Sequence, residues 1–223
     1  MQLNLIFQQL GRVLAVSVLL MVFFSSPLNA QTGDSQTRGR QVFVIPVSGT
    51  VDPGMAAFLE RACREATKSS GSLVVFEINT FGGRVDSALD IVDTLLTVPA
   101  ERSIAFVKKK AISAGSLIAL SCGKLVMRPA TTIGDCAPII YSQEGPKMMG
   151  EKFQSPIRAK FRALAKRNGY PEALTEAMVT PEKVVYAVEI DGETSYMDSQ
   201  AFEDLTESEK ERVTTKTTVV EKG

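Results

Sequence analysis

Short, wholly apolar runs alternate along the chain with longer stretches in which apolar residues recur every three or four positions. Gln41 to Val47 (QVFVIPV) reads as a buried strand, and Asp52 then caps a helix with Pro53 at its first position. Met55, Leu59, Ala62, Cys63 and Ala66 share one face of that helix. Ser69 to Ser72 interrupts the pattern, and Leu73 to Ile78 (LVVFEI) forms a second strand that ends in Asn79-Thr80-Phe81-Gly82-Gly83. A helix with Val85, Ala88, Leu89, Val92 and Leu96 at helical spacing follows, then a third strand from Ser103 to Lys108. The run Ala111-Ile112-Ser113-Ala114-Gly115-Ser116 opens a helix whose continuation, Leu117 to Leu120, is apolar all round. Lys124 to Met127 and Ala137 to Tyr141 read as fourth and fifth strands. Strands and helices alternating at these intervals predict an α/β core of parallel crossovers with both sheet faces covered.

Beyond this core the pattern weakens. Tyr141 to Phe153 reads as irregular, before a helix capped by Ser155 with Pro156 as its first residue. Its apolar stripe is Ile157, Phe161 and Leu164; Arg158, Lys160, Arg162, Lys166 and Arg167 make the remainder basic, as a solvated face or a surface for an acidic partner. Pro171 to Met178 is a short helix, and Val184 to Ile190, Asp191-Gly192 and Glu193 to Met197 form a two-residue β-hairpin. The tail from Ser199 is acidic, then threonine-rich.

The N-terminus has the layout of a secretory signal: Arg12, the apolar core Val13 to Phe24, then Ser25 to Ala30. Residues 1–30 are therefore expected to direct export, 31–40 to form a polar linker and 41–223 to fold as one domain in a periplasmic or membrane-associated setting. Charge is balanced, with 25 basic and 25 acidic residues, and nothing points to nucleic acid. Cys63, Cys122 and Cys136 are an odd number in small, core-like surroundings, although a Cys122 to Cys136 bridge is compatible with an oxidising compartment.

The most restrictive count is zero histidines. It removes the Ser-His-Asp triad and histidine-ligated zinc, so any proton transfer falls to Lys, Asp, Glu, Tyr or Cys. Ser113, at a strand-to-helix turn, is the candidate nucleophile, because a helix N-terminus offers unpaired N–H groups to a developing oxyanion. Gly82 and Gly83, at the end of the preceding strand, would let backbone amides approach a substrate carbonyl and complete an oxyanion hole with the Ala114 amide. A serine without histidine needs another base, and lysine serves when its cation is desolvated. Lys152, beside Met148, Met149 and Phe153 and just ahead of a helix, is the candidate; Lys108, Lys109 and Lys110 crowd together on a loop where water keeps them charged.

Three segments carry a resemblance: Ile78 to Val85 (INTFGGRV), Ala111 to Ala119 (AISAGSLIA) and Thr131 to Pro138 (TTIGDCAP). Over Gln41 to Ile190 the sequence resembles the ClpP-like serine protease domain of the NfeD family, membrane-associated proteases partnered with stomatin-like proteins. The resemblance implies a ClpP/crotonase-like superhelix of βαβ units, here with a basic helix and a C-terminal β-hairpin. It also implies a Ser/Lys dyad that cleaves hydrophobic peptide segments, without a cofactor or metal. By position Ser113 matches the nucleophile, Lys152 the dyad lysine, and Gly82 and Gly83 the oxyanion loop. Phe81 stands where the family usually has proline, and Asp135 where a small residue is commoner; a carboxylate in reach of Lys152 would stabilise its cation. The chain also stops at Gly223, before the closing strand and helix expected of such a domain.

The resulting expectation is a serine endopeptidase acting on a hydrophobic peptide or a membrane protein such as a stomatin-like one, and working as a homo-oligomer. Two other classes compete with it. A non-catalytic module for a stomatin-like membrane partner would use the same fold, and acyl-CoA chemistry would use paired backbone amides but conflicts with export.

Overall fold

The computed structural model describes residues 41–221; the expected signal and linker, residues 1–40, lie outside them. Strand β1 (Val42–Ser48) leads through helix α1 (Pro53–Thr67) to β2 (Leu73–Thr80), and α2 (Val85–Leu95) leads to β3 (Ser103–Ile112). Helix α3 (Ala114–Leu120) then precedes β4 (Lys124–Met127) and β5 (Thr132–Gly134). All pairings in this sheet are parallel; the order is β1-β2-β3-β4, with β5 continuing beside β3. The α1 start is as the sequence predicts, with the Asp52 carboxylate accepting the Met55 N–H at 2.8 Å and Pro53 at the head.

One face of the sheet is buried and the other is not. Ile45, Val47, Val74, Phe76, Ile78, Ala105 and Val107 point inward beneath the helices, whereas their alternates are half-buried or exposed, Val44 to 61%. The expected coverage of both faces is thus not observed. Strand order rises without reversal, and right-handed crossovers in an unreversed order deliver every helix to the same side. On α2 the buried stripe is Ala88, Ile91, Val92 and Leu95; Val85 is exposed.

Three further expectations change. Lys108, Lys109 and Lys110 lie within β3, not on a loop. The stretch read as irregular contains an antiparallel hairpin, β6 (Ile139–Ser142) with β7 (Gly145–Met148); Gly145 supplies a positive φ of 108° at the turn. Helix α4 (Glu151–Asn168) starts at Gly150, so Pro156 is interior and Lys152 sits in the first turn. Proline lacks the N–H that would bond the Lys152 carbonyl, which loosens this turn from the rest of the helix.

After α5 (Glu172–Ala177), the predicted hairpin forms from β8 (Val185–Ile190) and β9 (Glu193–Asp198). Asp191 and Gly192 both have positive φ, 54° and 83°, as a two-residue turn requires. The tail adds two short helices, α6 (Ser199–Glu203) and α7 (Glu207–Glu211), and a strand, β10 (Val213–Val220), antiparallel to β8.

Four basic residues of α4 pair with carboxylates within the molecule. Arg158 pairs with Glu151, Lys160 with Asp93 at 2.9 Å, Arg162 with Glu176 at 2.6 Å and Lys166 with Glu172 at 3.6 Å. Lys160 thereby ties the helix to α2, and Arg162 and Lys166 tie it to α5.

Candidate active site

The carboxyl ends of β2 and β3 bring the glycine loop and Ser113 together. A Cβ placed on Gly82 would lie 2.7 Å from the Ser113 Cβ, 2.9 Å from the Ile112 carbonyl oxygen and 3.0 Å from the Ala114 nitrogen, so only glycine fits. Gly83 is equally confined on its other side, where a Cβ would fall 2.2 Å from the Val51 carbonyl oxygen. The loop is laced to the end of β1: the Val51 N–H donates to the Gly82 carbonyl at 2.9 Å and the Arg84 N–H to the Val51 carbonyl at 2.8 Å.

Ser113 has φ 55° and ψ −121°, a backbone conformation that costs a non-glycine residue about 1–3 kcal/mol. Its N–H donates to the Gly134 carbonyl at 2.8 Å and its carbonyl accepts the Ser116 N–H at 2.9 Å, which hold the turn. The Ser113 hydroxyl makes no hydrogen bond among the described residues and lines a cleft with Val85, Ala88, Leu117, Pro138 and Ile157 among its walls. Apart from Ser113 the lining side chains are apolar or, for Cys136, thiol. Ser116 is a different serine altogether. Fully buried, it donates to the Ala111 carbonyl at 2.5 Å and accepts the Gly134 N–H at 2.8 Å, a brace between β3 and β5.

Of the loop donors, the Gly82 N–H is already given to the Thr80 hydroxyl at 2.9 Å. The Gly83 and Ala114 N–H groups donate to no protein acceptor among the described residues. The Gly82 N–H is thus occupied, whereas the other two are unbonded among the described residues.

Lys152 forms no hydrogen bond with Ser113. It is exposed, without a hydrogen bond or ion pair among the described residues, and stands roughly 7.5 Å along the helix axis from Ile157 in the cleft wall. Its expected apolar neighbours do not bury it, since Met148 and Phe153 are themselves 47% and 52% exposed. Asp135, with φ 54°, forms no ion pair with Lys152.

All three cysteines are free and buried. Burial pushes the Cys136 thiol up to about 12, so it stays protonated beside the Ser113 carbonyl, to which its sulfur lies at 3.4 Å. Among the described residues no group of His, Cys, Asp or Glu converges to hold a metal, and no helix is long and apolar enough to cross a membrane.

A strained serine at the end of a central parallel strand, packed against a glycine loop and lining an apolar cleft, sits here in a ClpP-like fold. The same fold occurs in the 1510-N membrane-bound stomatin-specific protease. A serine-to-alanine mutant of that protease superposes with a TM-score of 0.59 at 28% identity, covering 63% of this chain and 70% of that one. A lysine-to-alanine mutant in complex with a substrate peptide gives 0.58 at 28% identity, covering 63% and 66%. The chain belongs to the family described as NfeD1b, N-terminal domain, which matches residues 41–219. It is 33% identical over 166 residues to membrane protein NfeD1b of Bacillus subtilis (strain 168), covering 74% of this chain and 37% of that protein. It is 26% identical over 175 residues to the membrane-bound protease PH1510 of Pyrococcus horikoshii, covering 77% and 38%. The chain therefore spans less than two-fifths of the length of these curated relatives.

Proposed function

We propose that this chain is a serine endopeptidase domain in which Ser113 is the nucleophile, Lys152 the base, and the Gly83 and Ala114 N–H groups the oxyanion hole. The observation that carries the reading is Ser113 itself, an unbonded hydroxyl on a strained turn beside two unpaired amides. Strain of this kind persists where the surrounding structure imposes it, and it aims the hydroxyl into the cleft. In the reaction, Ser113 Oγ attacks the peptide carbonyl carbon and its proton passes to Lys152 Nζ. The oxyanion accepts hydrogen bonds from Gly83 and Ala114, and loss of either donor costs about 3 kcal/mol. The departing amine takes the proton from Lys152, leaving an ester on Ser113 that water hydrolyses with Lys152 again as base.

The apolar cleft supports a hydrophobic side chain next to the scissile bond. An incoming substrate covers Phe153 and Met148, desolvates Lys152 and disfavours its cation. The first turn of α4, loosened at Pro156, permits the approach. The related structures, a stomatin-specific protease and its complex with a substrate peptide, support a stomatin-like membrane protein as substrate and a membrane-associated setting. Homo-oligomerisation belongs to the same reading, supported by the exposed apolar side chains of Ile139, Ile140 and Met148 on the β6–β7 hairpin.

The test is intact mass after treatment with a serine-directed fluorophosphonate, with folding checked by circular dichroism. One adduct is expected on wild type and none on Ser113→Ala, and Lys152→Ala should be slowed by at least about 100-fold. A folded wild type that takes no adduct overturns the reading. It would favour a non-catalytic module that binds a stomatin-like membrane partner, an alternative that draws on the exposure of Lys152.

A further inference from the structure

The glycine loop and Ser113 sit on different strands, and the ladder between those strands lapses just where their spacing matters. Ile78 pairs with Val107 and Thr80 with Ala111, so two steps along β2 correspond to four along β3, and the two surplus residues fall within the run Lys108-Lys109-Lys110. The tethers of the loop lead elsewhere: Gly82 and Arg84 bond to Val51, and the Thr80 hydroxyl donates to the Gly49 carbonyl at 2.5 Å, all toward β1. Backbone pairing alone therefore leaves the loop better held to β1 than to the strand that carries Ser113.

Two of these three lysines cross the lapse. Lys108 donates to Glu77 at 2.9 Å, and the Lys110 ammonium lies 3.4 Å from the centroid of the Phe81 ring. Phe81 is 72% exposed, so burial does not hold it, and it is flanked by Thr80 and Gly82. Lys109 is exposed and makes no contact of this kind among the described residues.

We infer that this β3 irregularity is a strap, in which Lys110 grips Phe81 and thereby fixes the spacing between the Gly83 N–H and Ser113. Lys110 is a positioning residue, acting through the Phe81 face; the inference rests on the oxyanion-hole reading above. A cation on an exposed aromatic face contributes about two- to fivefold to an equilibrium, enough to hold a loop without freezing it.

The experiment measures two things in wild type, Lys110→Met, Phe81→Leu, the double variant, Lys110→Arg and Lys109→Met. One is the rate of fluorophosphonate capture by Ser113; the other is amide hydrogen exchange in the peptide covering residues 79–84. Lys110→Met and Phe81→Leu should each slow capture about two- to fivefold and speed exchange in that peptide. The double variant should be no slower than either single one. Lys110→Arg should restore both readouts, because guanidinium also stacks on aromatic faces, and Lys109→Met should match wild type. Additive losses, or exchange at 79–84 unchanged by Lys110→Met, overturn the strap. If wild type is not captured at all, the protease reading fails, and exchange alone still decides whether the strap exists.

Discussion

Ser113 and Ser116 lie three residues apart in one small-residue run, yet they have opposite fates. Ser116 is enclosed by Ala111 and Gly134 and serves the backbone, whereas Ser113 is pushed to positive φ with its hydroxyl left over. The strain makes a prediction at this scale. Ser113→Ala and Ser113→Gly both remove the hydroxyl, but only glycine adopts φ 55° without a Cβ penalty. Ser113→Gly should therefore be more stable than Ser113→Ala by about 1 kcal/mol, measured by urea unfolding. Equal midpoints would mean that the turn carries no strain. The run itself is legible in sequence because small residues after a strand signal a tight turn, and position within it singles out Ser113. Its positive φ is not legible, because Gly134 and Gly82, far away in the chain, impose it.

Among the elements, α4 and the C-terminal sheet are joined by an ionic cluster that no local pattern announces. Lys183 donates to Glu176 at 3.1 Å and to Asp198 at 2.5 Å, and Arg162 shares Glu176. Burial pushes the Glu176 carboxyl up, but its hydrogen bonds from Arg162 and Lys183 and their charges outweigh that, and it rests below its usual value. Asp198 is lowered chiefly by its hydrogen bond from Lys183. Burial lowers Lys183, yet the two carboxylates more than compensate and leave it raised. Depressed carboxylates stabilise the fold above their ordinary values of 4.5 and 3.8, and that stabilisation is lost as pH falls through their folded values. The raised lysine contributes below 10.5 and is lost as pH rises through its folded value. Lys183→Met should lower stability at pH 7 by about 1–2 kcal/mol and flatten the fall in melting temperature between pH 6 and about 3. An acid limb as steep as that of wild type would show that the cluster is not what titrates.

For the whole molecule, the sheet has one covered face, and this sets where substitutions matter. Val44 and Val47 lie on the same strand, one 61% exposed and the other fully buried. Val44→Thr should leave chemical unfolding within about 0.5 kcal/mol of wild type, while Val47→Ala should cost about 2 kcal/mol. A large loss from Val44→Thr would show that the open face is covered in solution. Periodicity by itself determined the parallel α/β core, the Asp52 cap, the Asp191-Gly192 turn and the nearness of Gly82 to Ser113, because these follow from local backbone preference and from strands ending at one edge. Only the tertiary structure decided the β6–β7 hairpin, the place of β10, the lapse between β2 and β3 and the exposure of Lys152. A strand exposed on both sides, as β10 is over most of its length, carries no alternation to read. Whether a lysine is desolvated depends on what distant chain covers it, which its own neighbours in sequence do not specify.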